Sequence, residues 1–284
     1  MKPLRALLKT SRPVSWVNTA YPFAAGYVVA TGHANWPLLV VGTCYFLVPY
    51  NVLMYGINDV FDYESDRRNP RKGGVQGAVL DQRVHQFVIW ASIVLNAPFV
   101  AWLLLRGNLA SAVVLLIVLA DVIAYSAPVL RFKERPFLDS ASSSLHFVGP
   151  LLFALALAGF PGAARPVVLA FFLWGMASHA FGAVQDIAAD RAAGIGSVAT
   201  VIGARRTVRL AAGLYAAASA ILLAHTPSAW PVALCGLLYI ASVAPYWHIT
   251  DHTAEQAQAG WKRFMWLNWV TGFVLTVTLL VHVH

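Results

Sequence analysis

Charge is what this 284-residue chain has least of. Only 11% of its residues are Asp, Glu, Lys or Arg, against about 25% in soluble domains, and a surface that cannot be covered with solvated side chains excludes an ordinary soluble protein. Cysteine is scarce as well. Cys44 and Cys235 both lie inside apolar stretches, so neither a disulfide framework nor a Cys/His zinc site is available. Negative charge is the scarcer sign, with 12 Asp and Glu against 20 Lys and Arg and a formal charge of +8. The basic excess sits in separate loops rather than along one stripe, which excludes nucleic acid as a partner.

Apolar residues take the place of charge, at 59% of the chain. A bilayer core of about 30 Å needs about 20 mostly apolar residues per helix, and such windows recur at roughly 14–31, 38–57, 84–105, 109–126, 145–160, 166–184, 207–225, 230–249 and 264–283. Runs this long and continuous are helices, because only helices and closed barrels satisfy their backbone in lipid. The predicted fold class is therefore all-α integral membrane: nine transmembrane helices in a single bundle, one domain over residues 1–284.

The first window follows Lys2, Arg5, Lys9 and Arg12 and so carries the charge pattern of a secretory signal. No small-residue cleavage site closes a short apolar core there, so it is read as a retained first helix, with Trp16 and Trp36 as interfacial anchors facing membrane lipids. All but two of the 20 Lys and Arg, Arg106 and Arg165, fall at the N-terminus or after the second, fourth, sixth and eighth windows. By the positive-inside rule that side is cytoplasmic. Nine helices then place the N-terminus and the charged loops in the cytoplasm and the C-terminus outside the cell membrane.

Half of the 12 acidic residues occupy two short windows: Asp59, Asp62, Glu64 and Asp66 after the second predicted helix, Asp186 and Asp190 after the sixth. At 100° per residue, Asn58, Asp62, Asp66 and Asp59 fall within about 100° of one another on a helix wheel, while Glu64 lies about 240° away. Asp186 and Asp190, at i and i+4, share a face in the same way. Stacked carboxylates repel and call for a cation. Several hard oxygen ligands on two facing helices suit Mg²⁺, which prefers carboxylates together with substrate phosphates. Ionisable groups at membrane depth are functional candidates by default.

The pattern N-D-x-x-D-x-x-x-D, followed by D-x-x-x-D on a later helix, resembles the UbiA superfamily of intramembrane prenyltransferases. The likeness runs the whole chain, through Arg12-Pro13, Tyr125-Ser126 and Arg131-Phe132-Lys133. Within the superfamily, the stretches NDVFDYESDRRNPRKGG, from Asn58 to Gly74, and RFKERPFLD, from Arg131 to Asp139, resemble the lycopene elongase branch most. Gly73-Gly74 stand where many members carry an Arg-Pro pair, a departure from the quinone and haem branches.

The resemblance implies two Mg²⁺ ions bridging the motifs to a prenyl diphosphate donor, probed first as dimethylallyl diphosphate, with a lipophilic acceptor in the bilayer, lycopene. It implies Asn58, Asp62, Asp186 and Asp190 as the principal catalytic metal-site positions, supported by Asp59 and Asp66. Arg71, Lys72, Arg131 and Lys133 would add donors around the diphosphate, and Tyr125 would orient a phosphate oxygen. Asn51 and Tyr55 share the face of Asn58, and His179 that of Asp186, which makes all three candidate substrate contacts. A hydrocarbon acceptor has no phenol to deprotonate, so no dedicated His base is required. Asp121 needs a partner or a proton at its depth, and structural pairing is its simpler reading. Two rivals are weighed: an aromatic, quinone-precursor or sugar-phosphate acceptor for the same chemistry, and a cation-coupled transporter. The transporter would carry its carboxylates near the midplane rather than at one membrane face.

Overall fold

Lipid offers no hydrogen bonds, so each apolar window can only close its backbone ladder on itself. The computed structural model describes residues 3–32, 35–67 and 79–282, and every regular element among them is helical. The α-helices are α1 (Pro3–Thr10), α2 (Val17–Thr31), α3 (Trp36–Leu47), α4 (Pro49–Phe61), α5 (Tyr63–Asp66), α6 (His85–Arg106), α7 (Leu109–Ser126) and α8 (Leu138–Leu157). They continue as α9 (Arg165–Val184), α10 (Ile187–Ala193), α11 (Val198–Ile202), α12 (Ala204–His225), α13 (Trp230–Val243) and α14 (Gln258–His282).

Among the described residues, eight helical runs are long and apolar enough to cross a membrane, where the sequence predicts nine. The difference lies in the first window. Arg12 takes a left-handed backbone (φ 50°) and a short 3₁₀ turn follows at Pro13–Ser15, so α2 starts only at Val17 and is ended by Gly32 at φ 66°. Its 15 residues span about 22 Å at 1.5 Å each, short of a bilayer core. The fifth window is extended instead, because α8 begins at Leu138 rather than at 145. Its first turns carry Asp139, Ser140, Ser142 and Ser144, polar residues that hydropathy assigns to a loop but that the structure buries.

The chain divides into two compact units, residues 1–132 with 146–161, and residues 133–145 with 162–284. In the first, α3 packs on α2, and α4 on α6 and α7, around Phe23, Tyr45, Phe46, Tyr50 and Phe153. Phe46 meets Tyr45 and Tyr50 edge-on, a favoured aromatic geometry. In the second, α12 packs on α9 and on α13, and α13 on α14, around Phe181, Tyr215, Tyr239 and Phe264.

Asn51 has a role in this architecture that its wheel position does not suggest. Between α3 and α4, Val48 leaves helical geometry (φ −121°, ψ −61°) and Pro49 has no N–H to give, so nearby carbonyls lose their helical partners. Asn51 Nδ2 donates to Phe46 O at 2.8 Å and Leu47 O at 3.1 Å, and also to Thr19 Oγ1 at 2.7 Å. Thr19 Oγ1 in turn donates to Phe46 O at 2.7 Å. The fully buried amide repairs a helix break.

Candidate active site

The first Asp motif starts in α4 and ends in the short α5, and the second begins just past the end of α9 and runs into the short α10. Asp62 joins α4 to α5 at φ −94°, ψ 0°, and Asp186 opens α10 at φ −98°, ψ −4°. The two joints share one conformation, in the bridge region where many active-site residues sit. Neither joint interrupts the register. Asp62 N–H donates to Asn58 O at 2.9 Å, Asp66 N–H to Asp62 O at 2.8 Å, and Asp190 N–H to Asp186 O at 2.8 Å, so side chains four apart remain on one face. Asp59, Asp62 and Asp66 are buried and Asp186 and Asp190 half-buried. Glu64, on the far side of the wheel, is exposed beside Arg67 at 3.4 Å.

Two arginines meet the first motif. Arg12 Nη2 donates to Asp59 Oδ1 at 2.8 Å, and its guanidinium lies 4.0 Å above the Tyr55 ring. Burial works against the Arg12 charge, yet the Asp59 carboxylate outweighs it and the guanidinium holds its proton more tightly than an exposed arginine would. Arg131 Nη2 stands 3.8 Å from Asp62 Oδ1. Among the described residues only Arg12, Arg131, Phe137 and Phe160 are non-glycines with positive φ, a conformation costing about 1–2 kcal/mol. Strain at both arginines therefore coincides with their placement on the motif, the pattern expected where the surroundings over-determine a functional backbone. Ser126 Oγ donates to Asn58 Oδ1 at 3.1 Å, and Tyr125, the residue before it, sets its ring edge-on to His146 with centroids 4.8 Å apart.

In the second unit, a network holds the turn after the second motif. Ile195 N–H returns to Asp190 O at 2.8 Å past Gly194, whose φ of 70° suits a glycine. Arg191 Nη2 reaches Thr200 O at 2.9 Å and Asp251 Oδ2 at 2.8 Å. Asp251 Oδ1 also accepts the Ala204 N–H at 2.7 Å, satisfying a donor at the start of α12. Asp139, fully buried, accepts the N–H groups of Ser140 at 2.7 Å and Val198 at 2.8 Å. Ser140 Oγ lies 3.2 Å from His179 Nδ1. Lys133 is half-buried in the 3₁₀ turn Phe132–Glu134. Arg71 and Lys72 lie outside the described residues.

The grip of Arg12 on Asp59, and the anchoring by Asp139 and Asp251, were not found from the sequence: no spacing rule links positions this far apart. The sole signal was that each is an acidic residue in a chain poor in them.

Among the described residues, no three His, Cys, Asp or Glu side chains gather into a ready-made metal cage, and one Asp59 oxygen is engaged by Arg12. The motif donors are Asn58, Asp62, Asp66, Asp186 and Asp190, all hard oxygens. A short oxygen-only set in each motif fits Mg²⁺, which keeps waters and takes the rest of its shell from substrate phosphates. It does not fit Zn²⁺, which favours nitrogen and sulfur.

Residues 19–270 match the UbiA prenyltransferase family. The chain belongs to that family. It is 49% identical, over 100% of its length and 99% of the relative's, to a lycopene elongase/hydratase of Corynebacterium glutamicum. It is 52% identical to the C(50) beta-cyclic carotenoids biosynthesis protein LbtBC of Dietzia sp., over 98% of this chain and 65% of that longer protein. A UbiA homolog from Archaeoglobus fulgidus, solved bound to DMAPP and Mg²⁺, shares the fold with a TM-score of 0.70 at 19% identity, covering 94% of this chain and 99% of that one. Family membership and the eight apolar helical runs among the described residues make the chain an integral membrane prenyltransferase, similar along its whole length to enzymes of carotenoid biosynthesis.

Proposed function

We propose that the protein is a Mg²⁺-dependent intramembrane prenyltransferase that ionises dimethylallyl diphosphate and alkylates lycopene, extending it to C45 and C50 carotenoids. The observation that carries this reading is the end-to-end similarity to a lycopene elongase/hydratase; the twin motif joints support the chemistry. Asn58, Asp62, Asp186 and Asp190, with Asp66 beside them, would hold two Mg²⁺ ions. When bound, the ions supply Lewis-acid stabilisation of the charge that gathers on the departing diphosphate.

The protein's own groups do the rest. Arg131, already beside Asp62, and Lys133, Arg71 and Lys72 donate to diphosphate oxygens, an interaction that strengthens as the leaving group gains charge. Asp59 is assigned a different task from its neighbours, to fix Arg12 at the membrane face. Tyr125 orients a phosphate oxygen, and Tyr55 and His179 flank the bound substrate. The C–O pair leaves with the diphosphate, and a terminal π pair of lycopene closes on the allylic carbon. The resulting tertiary cation then loses a proton directly or after adding water. Apolar and aromatic walls exclude water until then, and ring faces stabilise the cation by about 0.5–2 kcal/mol each. In this reading α2 completes nine crossings, with the N-terminus and both motifs cytoplasmic and the C-terminus external.

Membranes containing the protein, given lycopene, dimethylallyl diphosphate and Mg²⁺, are expected to yield pigments enlarged by one or two C5 units on mass analysis. Unchanged lycopene together with prenylation of 4-hydroxybenzoate or of a sugar phosphate would move the acceptor to another class.

A further inference from the structure

A His–Asp pair lies deep in the first unit, apart from the motif. His146 Nε2 on α8 stands 3.5 Å from Asp121 Oδ2 on α7, with side chains 5% and 11% exposed. Both helices are apolar enough to cross the membrane, where an ionisable group is expensive to keep. The groups facing the imidazole are Asp121 and Tyr125, both from α7, Tyr125 meeting the ring edge-on. The Tyr50 hydroxyl from α4 donates to the His146 backbone carbonyl at 3.0 Å and so ties the main chain that carries the ring.

Its depth is informative. Ser126, at the end of α7, bonds the Asn58 side chain of the first motif. Asp121 lies five residues earlier on the same helix, about 7.5 Å along the axis at 1.5 Å per residue, on the order of a five-carbon chain beyond the motif. A diphosphate anchored at Asn58 and Asp62 would direct its allylic carbons to that level.

We propose that His146 is the proton acceptor that ends the reaction, with Asp121 as its positioning residue; this rests on the prenyl-transfer reading above. After the new C–C bond forms, the positive charge resides on a tertiary carbon. One proton must leave, either from a neighbouring carbon, whose σ pair becomes the new double bond, or from a water that has added to the cation. From 3.5 Å the Asp121 carboxylate favours the proton on Nε2 and stabilises the imidazolium, as a carboxylate behind a histidine base does. Nδ1 takes the proton. No base is needed to generate the nucleophile, as the sequence indicates; the base acts at the end.

A purely structural tie between α7 and α8 would change how much active protein there is but not how the cation is resolved. The test is therefore a ratio. Membranes with His146→Gln, Asp121→Asn or the unaltered protein receive lycopene, dimethylallyl diphosphate and Mg²⁺ in H₂¹⁸O. Released diphosphate, C5 units added to pigment, free C5 alcohol and the alkene-to-alcohol ratio of the products are measured. General bases contribute typically 10²–10⁴-fold. His146→Gln is expected to change the alkene-to-alcohol ratio of the products by at least about tenfold, the lost alkene appearing as ¹⁸O-labelled carotenoid alcohol, while C5 units added per diphosphate released stay as they are, since the C–C bond forms before the base acts. Asp121→Asn, nearly isosteric, should shift the same ratio in the same direction. If both variants keep the unaltered protein's product ratio, whatever their total rate, His146 is not the acceptor. If the unaltered protein leaves lycopene unchanged and alkylates a polar acceptor, the lycopene reading fails, and the product ratio on that acceptor decides the role of His146.

Discussion

On the reading proposed above, substituting Asp62 or Asp190 would remove a metal ligand without opening a packed core, because Asp62 lies at a helix joint and Asp190 in the short helix α10, neither within the aromatic clusters. Asp62→Ala and Asp190→Ala should each lower Mg²⁺-dependent turnover by more than the roughly 10–100-fold typical of outer-shell partners, while the purified proteins remain folded. Full activity in either would remove the metal-site assignment. Glu64→Gln should leave activity unaltered and stability within about 0.5 kcal/mol, since its partner Arg67 is as exposed as it is. Asp59 answers to a different argument. Its side chain is fully buried against Arg12, and removing one partner of a buried pair strands the other, at about 3–5 kcal/mol. Arg12→Met should therefore lower the melting temperature in detergent sharply, and Asp59→Asn added to it should restore part of the loss. Additive losses would show that the two do not act as a pair.

At the scale of elements, two helical glycines should respond in opposite ways. A Cβ on Gly175 of α9 would run into the Ser144 side chain and come within 3.1 Å of its Cα, where Ser144 Oγ already bonds Phe172 O at 2.7 Å. Small residues at such crossings let backbones approach. Gly175→Ala should destabilise by about 1–3 kcal/mol through overpacking. Gly213 of α12 has nothing within 4 Å of an added Cβ, and Gly213→Ala should stabilise by up to about 1 kcal/mol by helix propensity. Thermal unfolding in one detergent checks both, and equal responses would contradict the packing of α9 against the start of α8. The same crossing explains why hydropathy mislocated that start. Asp139 and its serines are polar, but each is bonded inside the protein rather than hydrated.

For the whole molecule, the placement of basic residues makes topology testable. Reporters fused after Lys133 and Arg206 should read cytoplasmic, and those after Gly107 and Ala164 external. With those loops so placed, an N-terminus that reads external would identify α2, with its 15 residues, as a segment that does not span, and a cytoplasmic C-terminus would mean that a helix after Arg206 does not cross.

The sequence by itself determined the all-helical membrane class, the location of most crossings and the two Asp motifs, because these depend on local quantities: apolar run length, charge counts and helical spacing. α7 runs from Leu109 to Ser126, as its window predicts. Tertiary structure alone decided which charge meets which. Arg12 and Asp59 are 47 residues apart and Asn58 and Ser126 are 68 apart, and Asp121 finds His146 across two helices. It also decided that Asn51 repairs a helix break and that α2 is cut short. Each outcome depends on a partner brought close by packing or on a backbone angle such as that of Arg12, and neither leaves a periodic trace in the chain.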